Sequence, residues 1–376
     1  MIESFNKIEI SLPSLCHNFS QLQKRADNKP VLAMVKADAY GHGMVQCAQA
    51  LAEQGADCFG VAEAVEGVKL RRAGITQPVL IMAGILPEII PALFAYRLTP
   101  VVVDEFCLAE LSSEALRQEQ SIGVHLKVDA GMGRQGCLPA RLESILRKIN
   151  DLPGITLQGI MAHFPMADDP ASSSTSAIAR FFFQQLEKLG ELLPRNIIIH
   201  LANSGGILYF PVAHCDMIRP GIALYGCYPD GQQGAQHPEA IPLAPVMRFS
   251  SRIIQVKEVE TGIGLGYGHS FITTRPTRIA LIPVGYEDGY LRSLSNNGEA
   301  LVHGSRVRVV GRISMNLTML DVTDIDHPEP GDEVVLLGCQ GENRITADEI
   351  ASWMDTINYE VLCLFGNLNT RVYVTS

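Results

Sequence analysis

The chain has 376 residues, 47% of them hydrophobic and 19% charged, with a formal net charge of −10. That length exceeds one average domain and suffices for two globular units, while the acidic balance argues against nucleic acid or an anionic membrane as a partner. The nine cysteines stand singly with no C-x-x-C pair, which points to reduced thiols and a cytoplasmic setting rather than a disulfide framework. The opening M-I-E-S-F-N-K-I-E-I is broken by charge and is not expected to act as a secretory leader. No apolar run approaches the ~18 residues of a membrane span.

In chain order, I-E-I-S, at the end of residues 1–11, alternates and predicts a short strand. A helix is expected over 13–26. Strands are expected at 31–35, 58–62, 78–84, 99–104, 123–129, 157–164, 196–204 and 217–226, with helical periodicity between most of them, as at 44–54 and 178–193. Eight such β units predict a parallel (β/α)8, TIM-like barrel over residues 12–235. A doubly wound open sheet satisfies the same pattern, because periodicity alone does not show closure. The stretch G-Q-Q-G-A-Q-H-P-E-A-I-P (231–242) reads as a linker. Beyond it, short alternating runs separated by Gly, Pro and Asp predict a mostly antiparallel β domain over 236–376, with the strand in residues 1–11 expected to join it. One helix is expected there at 346–354, where Thr346 and Glu349 have capping-box spacing.

In a barrel of this kind, chemistry gathers at the C-terminal ends of the strands. Lys36, Lys127, Asp129, His163, Asn203, Ser204 and Arg219 all fall at such ends. The apolar run V-L-A-M-V stops at Lys36, which places an amine at the mouth of a pocket. Loss of water lowers a lysine pKa, and the free amine can form a Schiff base with an aldehyde. A strand-end lysine facing solvent fits this window as well. Ser204-Gly205-Gly206 follows a strand and begins a helix, and Gly221-Ile222 lies in a second βα position, in the region of the last two β units where barrels commonly bind phosphate. The triplet alone also fits a helix N-cap.

The segment A-M-V-K-A-D-A-Y-G-H-G (33–43) resembles the cofactor-lysine segment of the alanine racemases. H-L-K-V-D-A-G-M-G-R-Q-G, I-R-P-G, G-Y-G, G-Y-E-D-G-Y-L-R and G-R-I-S-M-N follow in the family's order, so the resemblance covers essentially the whole chain. It implies a cytoplasmic isomerase that uses pyridoxal 5'-phosphate and no metal to interconvert L- and D-alanine, supplying D-alanine for peptidoglycan. By the same resemblance Lys36 carries the cofactor. Ser204, Gly221 and Ile222 hold its phosphate with Tyr40 and Tyr359, beside Asn203. Arg219 hydrogen-bonds the pyridine nitrogen. Racemisation needs a base on each face of the α-carbon. The resemblance assigns Lys36 to one and Tyr267 to the other, with Tyr267 reaching the barrel of a partner subunit in a head-to-tail homodimer. His163 is implied to link Tyr267 to Arg219. Arg134 and the Met315 N–H are implied to bind the substrate carboxylate and Tyr286 to line the entrance. Lys127 is implied to brace Arg134, carbamylated in many members.

The chain departs from the family pattern at several places. Asp38 stands where Asn is usual, Glu287 where Ala is common, and Asn316 where Asp is usual. The ending L-F-G-N-L-N-T-R (364–371) is unlike the family's. Racemisation of serine, decarboxylation on the same two-domain plan, and a non-catalytic cofactor carrier are the alternatives. Arg219, where the decarboxylases place an acid, argues against the second. The β domain argues against the third.

Overall fold

The structure, a computed structural model, describes residues 4–237 and 240–375. The first three residues of the expected N-terminal strand segment, Pro238–Glu239 of the expected linker and Ser376 lie outside them. Strand β1 (Lys7–Ser11) leads into helix α1 (Leu12–Arg25). Seven parallel strands then pair in sequence order: β2 (Leu32–Met34), β3 (Cys58–Val61), β4 (Val79–Ile81), β5 (Thr99–Val102), β6 (Ile122–Lys127), β7 (Ile155–Met161) and β8 (Ile198–His200). Helices α2 (Met44–Glu53), α3 (Ala64–Arg72), α4 (Ile90–Ala95), α5 (Leu108–Arg117), α6 (Leu142–Asp151) and α7 (Ser173–Leu189) connect them. Every residue of β2, β3 and β4 is buried, as strands covered on both faces require. The helices bury one stripe each. Leu142, Ile145, Leu146 and Ile149 of α6 recur at i, i+3, i+4 and i+7 and face the sheet.

The expected eighth strand at 217–226 is not a regular strand. Pro220 has no N–H to give to a ladder, and the Gly221 N–H is taken by the Ser204 hydroxyl. Residues 218–220 nevertheless close the ring. Ile218 N–H donates to Pro30 O and Leu32 N–H to Ile218 O, both at 2.9 Å, and Met34 N–H donates to Pro220 O at 3.0 Å. On the other side Arg219 N–H donates to Ala202 O at 2.8 Å. Backbone bonds on both flanks make this a closed TIM-like barrel and not an open doubly wound sheet.

The second unit is mostly β. Its larger sheet runs Ser305–Arg308, Glu299–Val302, Glu333–Gln340, β9 (Met247–Arg252), β1 and Arg371–Val374. β1 pairs antiparallel with β9 and parallel with Arg371–Val374. One continuous core includes both units, and Phe249 meets Phe365 edge-on at 5.1 Å within it. Helix α8 (Ser204–Tyr209) follows β8, and α9 (Ala347–Met354) lies in the second unit. The expected capping box of α9 is present: Glu349 N–H donates to the Thr346 hydroxyl at 3.1 Å, and Thr346 N–H to the Glu349 carboxylate at 2.9 Å. Helix α10 (Asn358–Leu368), not anticipated from the sequence, packs against the turn after Lys36. All nine cysteines are free, and among the described residues no helix is long and apolar enough to cross a membrane.

Candidate active site

The turn after β2 holds the longest run of left-handed non-glycine residues among the described residues. Ala37, Asp38, Ala39 and Tyr40 have φ of 53°, 52°, 57° and 53°, the left-handed region that costs a non-glycine residue about 1–2 kcal/mol. Four such residues in succession persist only where the surroundings hold them. Gly43 N–H donates to Asp38 O at 2.8 Å and Gly41 N–H to Ala37 O at 3.1 Å. The Asp38 carboxylate accepts the Met44 N–H at 2.9 Å and pairs with Arg371 at 2.6 Å and Lys69 at 3.3 Å. Burial opposes ionisation of Asp38, but the Met44 N–H and the two cations outweigh it and hold its pKa below the ordinary value. Arg371 also donates to Gly41 O at 2.9 Å. A Cβ on Gly366 would lie 1.9 Å from Gly41 O, so α10 rests directly on the turn. Asp38, where the family usually has Asn, thus pairs with Arg371 of the C-terminal segment, and the ion pair secures this strained turn.

Clamped in this way, the turn presents Lys36 and Tyr40 to a cavity of about 530 Å³ at the C-terminal mouth of the barrel. Eleven of the fourteen residues to which the family resemblance gives a role line it: Lys36, Tyr40, Lys127, Arg134, His163, Asn203, Ser204, Arg219, Gly221, Ile222 and Tyr359. Burial, and then the charge of Arg134, lower the Lys36 pKa, with Glu66 acting in the opposite sense. Glu66 itself is engaged with backbone, accepting Ala37 N–H at 2.8 Å and Ala62 N–H at 2.6 Å.

One end of the cavity is rich in hydroxyl donors. The Tyr40 and Tyr359 rings lie 6.1 Å apart, and burial raises both phenol pKa values, so each keeps its proton. The Ser204 hydroxyl oxygen accepts Gly221 N–H at 3.0 Å and Ala223 N–H at 3.2 Å, leaving its own proton to donate. The Asn203 side-chain oxygen caps α8 by accepting Gly206 N–H at 2.9 Å.

The floor is cationic. Arg219 is only 3% exposed. Its Nη2 donates to Ala162 O at 2.8 Å and Leu201 O at 3.0 Å and reaches His163 Nδ1 at 3.5 Å, while Nη1 reaches His200 Nδ1 at 3.2 Å. Burial lowers the guanidinium to about 10, which still leaves it charged at neutral pH. Burial, then the Arg219 charge, push His163 down to about 3, so it is neutral.

Lys127 closes β6 and donates to Gln135 Oε1 at 2.7 Å. Burial, then Arg134 and Arg219, bring it down to about 8. Asp129 does not face this chemistry. Its carboxylate accepts the N–H groups of Gly131, Gly133 and Arg134 at 3.0–3.1 Å and shapes the loop that aims Arg134 and Gln135 inward. Gln135 was not foreseen from the sequence; its position next to Arg134 in that loop was the available signal.

Tyr267, Tyr286 and Met315 are not in this cavity. They lie on the second unit and are 68%, 40% and 53% exposed. Backbone bonds tie two of their loops together: Tyr286 N–H to Ser314 O and Glu287 N–H to Met315 O, both at 3.1 Å. The Asn316 amide donates to the Glu287 carboxylate at 2.5 Å. An aspartate at 316 would set two carboxylates face to face, so these two departures are compatible because they occur together. Tyr267 shares a shallow depression with Arg312, Ser314 and Leu317.

The cavity fits pyridoxal phosphate. It offers hydroxyl and N–H donors for a phosphate and a desolvated primary amine for an aldehyde. Among the described residues no carboxylate pairs with the buried guanidinium, so its outward N–H groups are open to a neutral ring nitrogen.

Comparison with known proteins gives a concordant result. Residues 10–229 match the family described as "Alanine racemase, N-terminal domain" and residues 246–373 match "Alanine racemase, C-terminal domain". The alanine racemase of Syntrophobacter fumaroxidans is 44% identical over 363 residues, covering 96% of this chain and 95% of the relative; that of Halothermothrix orenii is 41% identical, covering 97% and 96%. Among solved structures, the alanine racemase of Clostridium difficile 630 superposes with a TM-score of 0.91 at 33% identity, over 100% of this chain and 97% of that one. The Bartonella henselae alanine racemase, solved with covalently bound pyridoxal phosphate, has a TM-score of 0.89 at 28% identity, over 98% and 99%. With both family domains matched in order over nearly its whole length, the chain belongs to the alanine racemase family.

Proposed function

We infer that this protein interconverts L-alanine and D-alanine with pyridoxal phosphate, as a homodimer in which each barrel mouth is completed by the partner subunit's Tyr267. The observation that carries this reading is the pairing, in one cavity, of a desolvated lysine with a buried arginine that no carboxylate among the described residues neutralises. When bound, the cofactor supplies an aldehyde for the substrate amine and a ring that draws electrons from the α-carbon. Ser204, the Gly221–Ile222 backbone, Tyr40 and Tyr359 hold its phosphate. Arg219 donates to the ring nitrogen and keeps its own proton, which moderates the electron withdrawal and disfavours transamination and decarboxylation. Arg134 and the Met315 N–H bind the substrate carboxylate, and Tyr286 narrows the entrance. Lys36 moves a proton on one face of the α-carbon and the partner subunit's Tyr267 on the other. D-alanine made in this way is suited to peptidoglycan synthesis.

The dimer is supported by the exposure of Tyr267, Tyr286 and Met315 away from their own chain's cavity. Ile263 and Ile272, 45% and 58% exposed, flank Tyr267 in the same hairpin region, an apolar surface that a second copy would cover. The function is tested by incubating the cofactor-loaded protein with L-alanine alone and separating the enantiomers. Drift to a racemic mixture without pyruvate or CO2 is expected; persistence of pure L-alanine would overturn the reading.

Lys127 is assigned a carbamate. With its pKa near 8, a fraction of the amine is unprotonated near neutrality. Its lone pair attacks CO2, an N–C bond forms and a proton leaves to water, so a cation beside Arg134 becomes an anion that attracts it. Protein equilibrated with 13C-bicarbonate is expected to show a carbamate resonance that is absent in Lys127→Ala, with kcat/KM of the variant reduced roughly tenfold. A wild-type spectrum lacking the resonance would remove the assignment.

A further inference from the structure

Below the cavity floor, Arg219 leads to two buried histidines that the reaction above does not use. Arg219 Nη1 lies 3.2 Å from His200 Nδ1, and His200 Nε2 lies 2.8 Å from His125 Nδ1. The two rings meet edge-on, at 76° with centroids 5.0 Å apart. His125 belongs to β6 and ends 4% exposed; His200 closes β8 and is fully buried. The barrel makes room for this contact. β7 places Gly159 opposite His125, at a point where the register slips between Val124 and His125. A Cβ on Gly159 would lie 2.2 Å from His125 Nδ1, so any larger residue there displaces the ring.

The direction of these bonds follows from chemistry. A guanidinium has only donors. His200 must therefore turn a lone pair at Nδ1 toward Arg219 and carry its proton on Nε2. That proton needs an acceptor, and His125 Nδ1 is the one within reach. His125 then holds its own proton on Nε2. If His125 did not accept, His200 could shift its proton to Nδ1, and two donors would face each other at Arg219.

We propose that His125 is a positioning residue: by accepting the His200 Nε2 proton it locks the tautomer of His200 that receives Arg219, and so holds the guanidinium with its free N–H groups turned into the cavity. The inference rests on the assignment of Arg219 to the cofactor's ring nitrogen. Burial, with the Arg219 charge as second cause, brings His125 down to about 4. His200 lies well below the ordinary histidine range for the same reasons in the same order. Both rings are therefore neutral, as the one-way chain requires.

The test uses the cofactor-loaded protein labelled with 15N-histidine. Wild-type His200 is expected to show a single tautomer with a pyrrole-like Nε2 and a pyridine-like Nδ1. A mixed or reversed His200 tautomer in the wild type overturns the proposal without recourse to any variant. His125→Leu removes the acceptor; His200 then shows mixed tautomers, and kcat falls roughly tenfold with KM little changed. His125→Asn, whose amide oxygen falls near the position of Nδ1, is expected to restore both the tautomer and most of kcat. Gly159→Ala, which crowds the ring without altering it, is expected to reproduce the His125→Leu spectrum. An unaltered His200 tautomer in His125→Leu, or a His125→Asn variant as impaired as His125→Leu, refutes the role. The tautomer readout is independent of turnover, so a wild type that failed to racemise alanine would count against the proposed function and leave this result to be read separately.

Discussion

Replacing Lys36 by alanine abolishes the Schiff-base absorbance band of the bound cofactor and lowers racemisation at least about 10⁴-fold. Two losses combine. The variant has no amine to bond the cofactor's aldehyde, so pyridoxal phosphate is retained only by the phosphate donors and Arg219. It also lacks a base on one face of the α-carbon. The structure gives reasons to expect both roles of one side chain. Burial and the Arg134 charge favour the neutral amine, and the clamped turn at 37–40 holds that amine at the cavity mouth at a considerable conformational cost. The substitution leaves the clamp untouched, because Asp38, Arg371 and Glu66 make their contacts without the Lys36 side chain. The thermal midpoint is therefore expected to change little, and a loss of activity cannot be ascribed to unfolding. The measurement is an absorbance spectrum of the dialysed, cofactor-loaded variant beside the wild type. A spectrum identical to wild type would show that another amine carries the cofactor, and the assignment of Lys36 would fail.

How far the chain could be read before folding depended on whether a signal was local. The alternation of buried runs with helical stripes made the barrel legible, and the strand-end rule gathered Lys36, Lys127, His163, Asn203, Ser204 and Arg219, which lie far apart in sequence and line one cavity; Tyr40, Arg134 and Tyr359 came from the family resemblance. The Thr346–Glu349 capping box is complete within four residues and was legible for that reason. What was not legible depends on distant partners. Nothing in A-D-A-Y announces four consecutive positive φ values; the surroundings impose them, through Arg371 and a glycine 325 positions after Gly41. Pro220 stands in the sequence as a break in the expected eighth strand, but that its carbonyl still closes the barrel depends on the distant Met34 N–H. The histidine pair was invisible because His125 and His200 stand 75 positions apart. The departures from the family pattern seemed unrelated along the chain, yet Asp38 meets Arg371 and Glu287 meets Asn316.

Tyr267→Phe slows removal of the α-proton from one enantiomer of alanine roughly 10²–10⁴-fold while the other is far less affected. The asymmetry has to be sought in the right observable. L- and D-alanine have equal free energy, so kcat/KM for racemisation must fall equally in the two directions whichever base is lost. The exchange of the α-proton with solvent deuterium is not so constrained. Lys36 continues to exchange the enantiomer whose proton faces it, while the other enantiomer has lost its base. Equal slowing of exchange for both would argue against two bases on opposite faces. The same variant tests whether the site is shared. Tyr267 is 68% exposed and absent from its own chain's cavity. In a shared site, a hybrid of one Tyr267→Phe chain and one Lys36→Ala chain has one doubly impaired site and one that is intact. Random reassociation of equal amounts gives hybrids as about half of all dimers, so the mixture should recover about a quarter of wild-type activity from two nearly inactive preparations. If each chain completed its own site, no hybrid would contain an intact one and mixing would restore nothing, and the subunit arrangement proposed here would be wrong even with both bases correctly assigned.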